Sequence, residues 1–178
     1  GDGLRLGVAA GGAYAGPNPG FYGHLLACPV KATTASDFVV FTQYHSDHSL
    51  LLNREGRRFV DECRADHTST QKTLRQTEAR ALLFWDSRVQ DEIALQPPVA
   101  GAAPLNRYEL AIAAGARGAK LARIGDVAAA ASRWGYDGAQ CVATIEAYNA
   151  AMRTAPEALH PPRVDNAVSL FRTPFYLL

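Results

Sequence analysis

The stretch Asn53-Arg54-Glu55-Gly56-Arg57-Arg58-Phe59-Val60-Asp61-Glu62 constrains this chain most. Leu50, Leu51 and Leu52 lead in, a polar tip ends at Gly56, and Phe59 and Val60 return. An apolar run, a polar turn and a second apolar run read as a β-hairpin, with Gly56 able to take the positive φ that tight turns need. The expectation is therefore an antiparallel sheet built outward from residues 50–60.

Further elements follow from local pattern. A helix is expected over residues 2–14, where Leu4, Val8 and Gly11 fall at helical spacing and Asp2 suits the positive helix start. Gly16-Pro17-Asn18-Pro19-Gly20 breaks it, and Phe21 to Val30 reads as extended. Phe38–Phe41, Ser49–Leu52, Arg57–Val60 and Ala81–Trp85 read as strands, and Thr68–Gln76 as a short helix. Asp86 is placed to cap a helix at 87–92. After a loop opened by Gln96-Pro97-Pro98 the pattern turns helical. Leu105–Ala114 ends at Gly115, Asp126 starts a helix to Trp134, and Asp137 starts the longest one, Gly138–Thr154. Leu121–Ile124 reads as a short strand between them, and Thr173 to Leu178 is a final apolar run. The fold class expected is α+β: a small, mostly antiparallel sheet with packed helices.

Composition narrows function. The 178 residues are 48% apolar and 20% charged, enough for one real core and too apolar for a disordered chain. Eighteen basic and 17 acidic residues leave a net charge of +1, which excludes a general polyanion binder, so no nucleic-acid partner is expected. No apolar run approaches ~18 residues, so no membrane partner is expected either. Cys28, Cys63 and Cys141 are odd in number and far apart, which fits reduced thiols in the cytoplasm. Gly1-Asp2-Gly3 resembles no signal peptide, and the final run stops without a polar tail. The chain therefore reads as a piece from the middle of a longer protein.

Together these segments resemble the FAD-dependent fumarate reductase/succinate dehydrogenase flavoproteins, in the right order along nearly the whole chain. Gly1-Asp2-Gly3 and the Ala-Gly-rich helix resemble an element whose Asp contacts the flavin. The Asn53–Glu62 segment resembles the hairpin of the substrate-capping domain. Thr144-Ile145-Glu146-Ala147-Tyr148-Asn149 resembles the helix that ends the cap, and Thr173-Pro174-Phe175-Tyr176 the return to the flavin domain. The wording is nearest the tricarballylate-dehydrogenase-like branch. The resemblance implies a remnant of the flavin domain at 1–30, a capping domain at 31–165 and a return segment at 166–178. It implies hydride transfer to or from a C–C bond of a small carboxylate-bearing substrate, with FAD in the complete parent and none held by this chain alone. It also implies two partners: the missing flavin-binding domain of the same chain and, through the apolar ends left exposed, the chain itself.

Site residues follow from the same likeness. Asp2 matches the flavin-contacting Asp. His24, 22 residues on, matches a substrate-binding His, and Thr42-Gln43 stands where the family has a Thr-Glu pair that binds a substrate carboxylate. In fumarate reductases an Arg just past the hairpin transfers the proton. Here the candidates are Arg64, flanked by Glu62 and Asp66, and His67, whose ordinary pKa lies near neutrality. No GxGxxG follows a strand, so the loop that cradles a dinucleotide is not expected within these residues. The alternative function is a non-enzymatic binding or metal-binding domain, with His45, His48, Cys63 and His67 as the residues able to hold zinc.

Overall fold

The computed structural model describes residues 1–15, 23–31, 34, 37–97 and 100–178. The break at 16–20, Phe21 at the start of the expected extended segment and Pro98 of the expected loop lie outside them. Four strands form one antiparallel sheet: β1 (Leu50–Leu52), β2 (Leu82–Asp86), β3 (Ala119–Leu121) and β4 (Phe175–Leu177), in the order β1-β2-β4-β3. The register places Leu50 opposite Phe84, Phe84 opposite Leu177, and Leu177 opposite Ala119. Strands β1, β2 and β4 are buried at every position, which is why they read as unbroken apolar runs rather than alternating ones. Trp85 stacks on Tyr176 at 5.4 Å and Phe84 on Phe175 at 5.7 Å, cross-strand pairs that fix this register.

Seven helices lie among the described residues: α1 (Asp2–Ala9), α2 (Phe38–Phe41), α3 (Asp66–Leu74), α4 (Ser87–Val89), α5 (Arg107–Ala113), α6 (Val127–Arg133) and α7 (Gly138–Ala151). The last two pack on one another and bury Val127, Ala131, Cys141, Ile145 and Tyr148 in the core the strands share. The expected caps at Asp86 and Asp137 are present: their carboxylates accept from Val89 N at 3.1 Å and Gln140 N at 2.9 Å. Asp126 acts differently, accepting from Arg123 N at 3.1 Å. The resulting fold is a small α+β domain.

The structure departs from sequence expectation in five places, one being the strand expected at Leu121–Ile124: it lies at Ala119–Leu121, where it pairs with β4, and Ile124 begins a 3-10 turn. Phe38–Phe41 is helical, because an apolar run of four carries no period of its own. Packing decides: Phe41 joins Ala27, Ala111 and Ala116 in a small core between α2 and α5. Arg57–Val60 is not a strand. A single bridge joins Leu52 and Arg58, and the chain then bends so that the buried Arg58 guanidinium can meet Val60 O and Glu62. Helix α1 stops at Ala9 rather than near residue 14, and none of its residues is buried. The short helix α4 continues into a π-helical turn at Gln90–Ala94.

Gly56 takes φ 72°, as the turn requires. A Cβ there would lie 2.6 Å from Cys141 N and 2.7 Å from Asp137 O, because the turn docks on the start of α7. Asp137 N donates to Arg54 O at 2.8 Å and Thr144 Oγ1 to Gly56 O at 2.6 Å. Gly56→Ala is expected to lower unfolding free energy by roughly 2–4 kcal/mol through strain and backbone clash. Urea denaturation checks this, and an unchanged midpoint would contradict it.

Candidate functional site

Two segments distant in sequence build the site. Residues 24–28 run beside the end of α2: Leu26 bridges Thr42, Gln43 N donates to Leu25 O at 2.9 Å, and Ala27 N to Phe41 O at 3.2 Å. This pairing sets His24 between the rings of Phe38 and Tyr44, at 5.6 and 5.3 Å. From the other side comes α3. A 3-10 turn, Glu62–Arg64, leads to Ala65, whose φ of 112° is a conformation that a residue with a Cβ rarely adopts. That turn swings Asp66, the first residue of α3, onto His24, where Asp66 Oδ2 meets His24 Nδ1. A carboxylate only accepts, so Nδ1 carries the proton and Nε2 is left to take or release one. The other oxygen, Asp66 Oδ1, is buried with no hydrogen-bond partner among the described residues.

Beside the pair opens a cavity of about 360 Å³, lined by His24, Leu25, Gln43, Leu51, Thr73 and Leu83 among others. Gln43 is buried. Its Nε2 donates to Phe41 O at 2.9 Å, while Oε1 has no hydrogen-bond partner among the described residues.

The other residues expected at the site lie apart from this cavity. Thr42 is buried, and its hydroxyl donates to Phe38 O at 2.7 Å. Arg64 is exposed, with Nε 3.4 Å from Asp61 Oδ2, and His67 is an exposed residue in the first turn of α3. Asp2 stands on the exposed α1, with Arg5 Nη1 3.8 Å from its carboxylate. The described residues thus offer no cradle that fits a flavin dinucleotide. In the sequence Asp66 stands out only as a neighbour of Arg64. An acidic residue at a helix start has a local explanation in the helix dipole, and its contact 42 residues away leaves no mark in local spacing.

The residues weighed for zinc do not gather: among the described residues no group of three or more His, Cys, Asp or Glu side chains could hold a metal ion. Cys63 Sγ donates to Asp165 O at 2.7 Å, and burial pushes its thiol up to about 11. His45 is buried against Trp85, with ring centroids 4.6 Å apart. Burial first, then the charges of His48 and Arg107, holds its pKa down at about 3. A folded-state pKa below the unfolded one gives stability that is full above about pH 6.5 and is lost as pH falls towards 3. Acid unfolding should therefore steepen across that window, by at most about 1.4 kcal/mol per pH unit from this group. His45→Phe, measured by denaturation at several pH values, should flatten that limb; an unchanged limb would contradict the assignment.

Comparison with known proteins reaches the fold through structure, not sequence. No protein-family model and no curated protein sequence matches the chain. Among solved structures, the open conformation of a flavocytochrome c3 fumarate reductase superposes with TM-score 0.58 and 15% identity, over 88% of this chain and 24% of that one. The 3-ketosteroid-Δ4-(5α)-dehydrogenase of Rhodococcus jostii RHA1 gives TM-score 0.53 and 18% identity, over 78% of this chain and 26% of that one. A fumarate reductase flavoprotein subunit from Lactobacillus plantarum, solved in solution, gives 0.51 and 16%, over 76% of this chain and 84% of that one. The chain spans about a quarter of the length of the first two. These likenesses establish the fold, and two of the three structures are fumarate reductases, the kind of protein the sequence motifs resemble. Among the described residues no helix is long and apolar enough to cross a membrane.

Proposed function

We propose that this chain is the substrate-capping part of an FAD-dependent oxidoreductase that transfers a hydride to or from a C–C bond of a carboxylate-bearing substrate. The observation that carries the reading is the contact of His24 with Asp66 at the mouth of the cavity, within a fold shared with flavoprotein oxidoreductases. The cofactor belongs to a flavin-binding domain of the same polypeptide, towards which this chain offers Asp2.

In this reading the chain does three things. The apolar lining of the cavity keeps water from the reacting carbon. Gln43 and the segment 24–28 define where the substrate lies. His24 Nε2 exchanges a proton with a carbon of the reacting bond, while Asp66 holds the ring through Nδ1 and offsets the imidazolium charge as it forms. Arg64 and His67, exposed on either side of Asp66, pass the proton on to solvent rather than face the substrate.

In the full-length protein, Asp66→Asn is expected to slow the chemical step by roughly 10²–10⁴-fold with little loss of substrate affinity, because the pair acts chiefly in the transition state. The measurement is stopped-flow reoxidation of reduced flavin by a series of unsaturated carboxylates. If Arg64→Ala abolishes the step and Asp66→Asn does not, proton transfer belongs to Arg64 instead.

A further inference from the structure

The cavity beside His24 contains more recognition chemistry than a proton-transfer site needs. Its walls include Leu25, Leu51, Leu82, Leu83 and Trp134, a surface for an apolar body. Two polar atoms on those walls are buried without a hydrogen-bond partner among the described residues: Gln43 Oε1, on a residue 2% exposed, and Thr73 Oγ1, on a residue 7% exposed. Buried polar atoms of this kind cost free energy until something pairs with them. Gln43 Oε1 can only accept, since Nε2 of the same amide is fixed to Phe41 O. The missing partner is therefore a donor.

The rim carries charge. Arg54 and Arg80 share one acid, Glu78, at 3.2 and 3.7 Å. Arg117 also lines the cavity, and its guanidinium has no ion-pair partner among the described residues. Three cations against one anion leave this rim positive. Arg117 is tied by its backbone to Cys28 O at 3.3 Å, whereas His24 lies four residues earlier. Four extended residues span at most ~13 Å, so one acid with a ring-sized body can lie between the His24 and Arg117 ends of the cavity.

We propose that the cavity binds an amphipathic organic acid: a carboxylate at Arg117, a ring-sized apolar body against the leucines, and a hydroxyl that donates to Gln43 Oε1 and accepts from Thr73 Oγ1. This rests on the oxidoreductase reading and deepens it by naming its substrate class.

The test is calorimetric titration of the chain, without flavin, with 3-(4-hydroxyphenyl)propanoate, with 3-phenylpropanoate and with succinate. Saturable binding of the first is expected. Removing the hydroxyl should weaken it about 3–10-fold, the worth of one neutral hydrogen bond, and succinate should not saturate. Arg117→Ala, an exposed position that leaves the core intact, should weaken binding about 10–100-fold, and Arg117→Lys should restore part of it. Absence of saturation by the first acid, equal binding of succinate, or an unchanged affinity in Arg117→Ala overturns the proposal. Because no flavin is present, these outcomes are separate from the oxidoreductase reading, which fails instead if the full-length protein exchanges no hydride.

Discussion

The Glu62 carboxylate, fully buried, holds the fold together at its most vulnerable edge. Arg58 meets it through Nε at 3.1 Å and Nη2 at 2.6 Å, and Arg163 through Nη1 at 3.0 Å. Leu51 N donates to the same carboxylate at 3.1 Å. Strand β1 lies at the end of the sheet, and this carboxylate closes off an N–H that would otherwise stand as an open edge. Arg163 extends the seal by donating to Ser49 O at 3.0 Å and Asp47 O at 2.7 Å, and the Tyr148 ring lies near both guanidiniums at 5.6 and 5.8 Å. Burying three charges is costly, and only full hydrogen bonding in a fixed geometry offsets that cost. The cluster therefore tolerates one arrangement, and that arrangement ties residues 58–62 to residues 161–163 across the chain.

The site inherits this rigidity. Three residues separate Glu62 from Asp66, and over this span the chain makes one 3-10 turn and the left-handed step at Ala65. A non-glycine residue in that region costs about 1–3 kcal/mol and persists only where its surroundings impose it. Here the imposing groups are the Glu62 cluster on one side and α3 on the other. The result is a carboxylate placed against an imidazole that a different part of the fold delivers. The cavity follows from the same placement, because α3 supplies Thr70 and Thr73 to its wall.

Much of this was legible in the residues. Gly56, the caps at Asp86 and Asp137, and the apolar runs that became β1, β2 and β4 each have a local physical cause, and each lies close to where the sequence puts it. Phe38–Phe41 had no such cause: four apolar residues fit a strand or a helix, and contact with α5 settled it. Arg57–Val60 looked like the returning strand because its apolar pair, Phe59 and Val60, suggested one. The decisive residue was Arg58, whose buried partner Glu62 is shared with Arg163, 105 positions from Arg58. Among the site residues, His24 and Gln43 line one cavity, while the Thr42 hydroxyl is taken by backbone. Asp66 could not be singled out, since its role rests on a contact no spacing encodes.

In the proposed function Asp66 fixes His24 as a positioned proton carrier. The most direct measurement is the imidazole tautomer of His24, read from long-range ¹H–¹⁵N correlation spectra of the wild-type chain and of Asp66→Asn. The account predicts that wild-type His24 carries its proton on Nδ1 and that the variant shifts towards the Nε2-protonated form. Identical His24 nitrogen shifts in the two proteins would contradict it.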